Sequence, residues 1–147
     1  MIHLTNIHYI EQTLTGNRLC LFYVKAPDCG VCNVMLDKVA RLADSHPTLC
    51  SFYTDITEEP LIAGKFLVYS GPTALLMLDG KEVYRSSGFI NLDELEHKIT
   101  QYSDFLAQVR KSVDSPPGML TEDHHHTVHE ERQVCYSSHL RPKSLHL

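Results

Sequence analysis

The segment Leu19-Cys20-Leu21-Phe22-Tyr23-Val24 presents no polar side. Side chains of a strand alternate between two faces, so a strand that is apolar throughout must be covered above and below. Pro27 ends the run. From Val31 the period changes, and Val31, Met35, Val39 and Leu42 recur at helical spacing until His46-Pro47 closes the segment. The chain must therefore build a strand–turn–helix unit, and the rest of the fold has to supply a layer on each side of it.

The remaining patterns fit that frame. Ile7, Ile10 and Leu14 give the face of a short helix over Asn6 to Leu14, stopped by Gly16, and a first strand precedes it at Ile2 to Leu4. Leu49 to Tyr53 reads as a strand, Leu61 to Val68 as a short helix and Ala74 to Leu78 as a third buried strand. Asp79-Gly80 is a hairpin signal, with Glu82 to Arg85 returning. Asn91 followed by Glu94 makes an Asn variant of a capping box, and Ile90 is placed to staple onto Leu95. Leu92, Leu95, Ile99, Tyr102, Leu106 and Val109 continue as one stripe. The order β-α-β-α-β-α-β-β-α implies an α/β domain over residues 1–112, a mixed central β-sheet with helices on both faces and an antiparallel hairpin at one edge.

Pro116-Pro117-Gly118 ends the ordered region by this reading, and residues 113–147 form a His-rich, disordered tail with no sustained periodicity. His126, His129, Cys135 and His139 in that tail have spacings a zinc or nickel ion could use, but the glycines and aromatics of a small zinc fold are missing. His129-Glu130 begins no metalloprotease motif, because Gln133 stands where the second His belongs.

Composition excludes several classes. With 43% apolar and 21% charged residues in 147, the chain is not disordered throughout. A net charge of −5 with scattered Lys and Arg offers no stripe for phosphates, so no nucleic acid partner is expected. Leu19 to Val24 is shorter than the roughly 7–15 residues of a signal-peptide core or the about 20 of a membrane span, so the expectation is a cytoplasmic monomer with no membrane association. Five cysteines without scaffold-like spacing favour a reducing compartment, in which a close Cys pair is chemical rather than structural.

That pair is Cys29-Gly30-Val31-Cys32. It lies where the buried strand gives way to a helix, and unpaired N–H groups at a helix start stabilise a thiolate. Gly30 permits a tight turn, and the offset of three places both sulfurs on one side of the first turn. A half zinc site is the plain alternative, but no second Cys or His pair of similar spacing lies within residues 1–112, so no metal is assigned. Cys20 and Cys50 fall inside strands, where a cysteine is usually a small buried hydrophobe.

Over roughly residues 2–110 the chain resembles the thioredoxin family. Lys25-Ala-Pro-Asp-Cys-Gly-Val-Cys32 is similar to that family's active-site segment, Gly71-Pro72-Thr73 before a strand to its cis-proline loop, and Asp79-Gly80-Lys81 with Gly88 to its later hairpin and glycine. Glutaredoxin is a poorer match, since Gly-Val stands where its members usually carry Pro-Tyr. The resemblance implies the thioredoxin fold, catalysis by nucleophilic Cys29 and resolving Cys32, a redox-active Cys29–Cys32 disulfide with no other cofactor, and a cis Pro72. It further implies that Gly71, Pro72, Gly30 and Val31 shape the groove for disulfide-containing protein substrates, with a thiol reductase as electron donor. Asp28 replaces the family's aromatic residue, Val31 its proline, Tyr23 its buried acid and Gly71 its branched residue before the proline. Tyr23, Lys25 and Asp28 thus become the candidates for proton transfer and tuning, with Asp28 opposing thiolate formation and Lys25 favouring it. The rival readings are a thioredoxin-fold redox sensor or adaptor without general turnover, and a metal-handling protein acting through its tail.

Overall fold

The computed structural model describes residues 1–114. Its elements are β1 (Ile2–His3), α1 (Ile7–Gly16), β2 (Leu19–Lys25), α2 (Gly30–Asp44), β3 (Cys50–Asp55), α3 (Leu61–Phe66), β4 (Thr73–Leu78), β5 (Lys81–Ser87) and α4 (Leu92–Val113). The strands form one mixed sheet in the order β1-β3-β2-β4-β5, parallel from β1 to β2 and antiparallel across β4 and β5. β2 is central, and all six residues of its apolar run are buried.

The alternation along β2 divides the core in two. Cys20, Phe22 and Val24 pack with Ile10, Leu14, Phe52, Ile62 and Leu75, beneath α1 and α3. Leu19, Leu21 and Tyr23 pack with Met35, Val39, Leu76, Leu95 and Ile99, beneath α2 and α4. Each fully buried large side chain contributes roughly 1.5–3 kcal/mol by leaving water, so this strand is the chief anchor of the fold.

Local chemistry sets the ends of the elements. Asp79 and Gly80 both take left-handed backbone angles, φ 49° and 77°, as a two-residue hairpin of the primed type requires. Asn91 Oδ1 accepts the Glu94 N–H at 3.2 Å, and Ile90 and Leu95 are buried in the same cluster. Strands outrun their sequence patterns where the neighbouring strand continues to pair, by one residue in β2 and β4 and by two at the far end of β3, which reaches Asp55 opposite Lys25, and of β5, which spans Lys81–Ser87 against β4. α3 ends at Phe66 rather than Val68, since Leu67 turns left-handed at φ 54°.

The tail, with its expected disorder and its His126, His129, Cys135 and His139 metal set, lies outside the described residues. Among the described residues no group of His, Cys, Asp and Glu is gathered to hold a metal ion, and no helix is long and apolar enough to cross a membrane.

Candidate active site

β2 ends at Lys25, and residues 26–29 carry the chain to α2, which starts at Gly30. Cys29 is the cap of that helix. Its Sγ accepts the backbone N–H of Cys32 at 3.2 Å, so a donor of the first turn points at sulfur. Cys29 and Cys32 are joined in a disulfide, their Cα atoms 5.2 Å apart. Cys29 is half-buried and Cys32 fully buried, while Gly30 and Val31 are exposed. A substrate therefore has access to Cys29 and not to its partner.

Asp28 is exposed and holds a left-handed φ of 53°, in a region where Asp is tolerated better than most residues. Lys25 is half-buried and in register with Asp55. Burial works against the Asp55 carboxylate, but bonds from the Thr57 hydroxyl at 2.7 Å and N–H at 2.9 Å, together with Lys25 and His3, outweigh it and hold its pKa below the usual range. The Lys25 charge thus acts on the Asp55 carboxylate.

Tyr23, directly beneath α2, is wholly buried and its hydroxyl donates to the Cys32 carbonyl at 2.7 Å. Burial pushes the phenol well above its ordinary pKa, because the phenolate would be the charged form in an apolar site. Its proton is thus committed to the backbone. Tyr23 is placed to steady the turn that carries Cys32, and it offers the thiol no base.

The Gly71–Pro72 peptide bond is cis, and Pro72 is buried. The Pro72 carbonyl accepts the Gly88 N–H at 2.8 Å. A Cβ at Gly71 would stand 2.5 Å from the Ala26 nitrogen and 2.9 Å from the Lys25 carbonyl carbon. The loop rests against the backbone leading to Cys29, and a branched residue has no room there. Because β4 runs antiparallel to β2, Gly71 and Pro72 ahead of β4 and Gly30 and Val31 after β2 lie toward the same end of the sheet.

Three features escaped the sequence patterns. Phe89, 87% exposed, follows Gly88 and so borders the Pro72 loop, while Tyr69, 72% exposed, stands two residues before Gly71. Their only signal is that both lie outside every periodic stripe. Arg85 is the third, and its bonds cross to α3. Cys20 is a buried free thiol whose pKa burial pushes up to about 12, and Cys50 is buried beside it in the sheet.

A half-buried sulfur capping a helix start, a buried disulfide partner three residues on and a cis-proline loop against the same stretch of backbone make a site for thiol–disulfide exchange. Comparison with known proteins agrees. The family model described as Thioredoxin matches residues 1–101. A thioredoxin of Chlamydia muridarum is 36% identical over 95 residues, 65% of this chain and 91% of that protein. The thioredoxin-like protein YdfQ of Bacillus subtilis is 28% identical over 102 residues, covering 67% and 91%. The X-ray structure of Fasciola hepatica thioredoxin superposes with a TM-score of 0.63 at 31% identity, over 69% of this chain and 98% of that one.

Proposed function

The chain belongs to the thioredoxin family and is a thiol–disulfide oxidoreductase in kind, and on that premise we propose that it reduces the disulfides of other proteins. The observation that carries this reading is the unequal burial of the pair: Cys29 is reachable, and Cys32 is sealed three residues behind it. In the reduced protein the Cys29 thiolate attacks one sulfur of a substrate disulfide, the other sulfur leaves as a thiol, and a mixed disulfide forms. Cys32 then loses its proton and attacks Cys29, which releases the second substrate thiol and restores the Cys29–Cys32 disulfide. Two electrons pass to the substrate, and a partner thiol reductase returns them. Gly71 and Pro72 border the groove beside Cys29, and Gly30 and Val31 form its other wall. A monomeric, cytoplasmic reductant with no cofactor beyond its own disulfide is the form this takes.

Reduction of insulin disulfides by the full chain, with dithiothreitol as electron source, tests the proposal. Catalytic acceleration that disappears in Cys29→Ser is the expected result. Stoichiometric consumption of the Cys29–Cys32 thiols without turnover would favour a redox sensor instead.

A further inference from the structure

Arg85 on β5 makes four hydrogen bonds. Nε and Nη2 fork onto the two Glu82 carboxylate oxygens at 2.8 Å each, Nη1 donates to the Leu67 carbonyl at 2.8 Å, and Nη2 donates to the Phe66 carbonyl at 2.5 Å. The last carbonyls of a helix have no partner within it, and a cation is favoured there, so the guanidinium closes the end of α3. Leu67 sits at φ 54°, a backbone a leucine keeps only when its surroundings hold it.

The same edge of the sheet grips the loop beyond Leu67. Ser87 Oγ lies 3.0 Å from Thr73 Oγ1, which donates to the Ser70 carbonyl at 2.9 Å. Gly88 N–H then holds the Pro72 carbonyl at 2.8 Å. The carbonyls of residues 66, 67, 70 and 72 are thus all held, directly or through Thr73, from the β5 side. Within this set Arg85 is the side chain that reaches α3.

We propose that Arg85 is a positioning residue which, by holding the left-handed turn at Leu67, sets the loop of residues 66–72 and with it Tyr69, Gly71 and Pro72 beside Cys29 for the substrate chain. The inference rests on the reductase reading for its substrate. A planar fork that meets two carbonyls and one carboxylate together cannot be replaced by an ammonium, which is a single point of charge.

The test uses the full chain with insulin as substrate. In Arg85→Met, KM rises about tenfold while kcat stays within about twofold, because a displaced binding loop weakens ground state and transition state alike. Arg85→Lys behaves like Arg85→Met, and Glu82→Gln shifts KM in the same direction by less. Adding Leu67→Gly to Arg85→Met returns KM toward the unmodified value, since glycine keeps the left-handed turn without support. An unchanged KM in Arg85→Met, or a KM that Leu67→Gly leaves fully elevated, overturns the proposal. If the unmodified chain reduces no protein disulfide, the functional reading fails separately. The positioning role is then read from hydrogen exchange at the Gly88 amide, whose faster exchange in Arg85→Met supports it and whose unchanged exchange overturns it.

Discussion

Cys20 and Cys29 stand near opposite ends of β2, and each meets the end of a helix. The Cys29 sulfur accepts an N–H from the first turn of α2, where the helix presents unpaired donors. The Cys20 sulfur lies 3.7 Å from the carbonyl oxygens of Thr13 and Asn17, at the closing end of α1, where the helix presents acceptors. Donors favour a negative sulfur, whereas acceptors and burial oppose it. Two identical side chains on one stretch of chain are thus made reactive and inert by which pole of a helix they meet and by how much water reaches them.

The largest effect that could break this contrast is covalent. Cys32→Ser should capture substrate proteins as stable mixed disulfides on Cys29, because attack proceeds while release does not, and Cys29→Ser should capture none. Equal capture by both variants, read on non-reducing gels of the trapped protein, would erase the assignment of attacker and resolver.

The next effect concerns rate. With its pKa pushed up to about 12, the Cys20 thiol is ionised at pH 8 to only about one part in ten thousand. In the reduced, folded protein iodoacetamide should therefore modify Cys29 about a thousandfold faster than Cys20, since the thiolate is the reacting form. Peptide mass spectrometry over a time course measures both. Comparable rates would show that helix polarity does not govern these sulfurs.

The smallest effect sharpens the comparison at Cys32. Tyr23 remains protonated from pH 6 to 9, because its folded pKa lies above an already high ordinary value, so it cannot take the Cys32 proton. Release of the mixed disulfide should then speed up about tenfold per pH unit until the pKa of Cys32 is reached. Tyr23→Phe should keep that slope, and Tyr23→Asp should raise the rate at pH 7, at some cost in stability for the buried carboxylate. Single-turnover kinetics decide the matter, and a flat, fast profile in the unmodified protein would assign the relay to another group.

Much of the framework is legible in the sequence, and the reasons are local. The apolar run of β2, the helical period after Cys29, the Asp79-Gly80 turn and the Asn91 cap each express their physics within a few residues. The end of α3 is not legible there, because it is decided by Arg85, eighteen and nineteen residues away along the chain. Tyr23 stands out in the sequence by its distance from Cys29, and an ordinary phenol is already a poor proton acceptor at pH 7. The packed structure adds the partner that its hydroxyl donates to, the Cys32 carbonyl.

Gly71 draws the line most sharply. By itself the sequence determined that this chain makes a helix-covered sheet with a Cys-x-x-Cys pair at a strand–helix junction, because alternation, periodicity and capping act between near neighbours. It marked Gly71 as an unusual residue ahead of a proline and, through the resemblance, as part of the expected substrate groove. The tertiary structure alone decided why a glycine stands there, since the 2.5 Å clearance to the Ala26 nitrogen exists only after β4 has docked against β2. It likewise decided that Cys29 and not Cys32 faces solvent and that Phe89 and Tyr69 stand exposed, since exposure depends on how separate segments pack and no local pattern carries that distance.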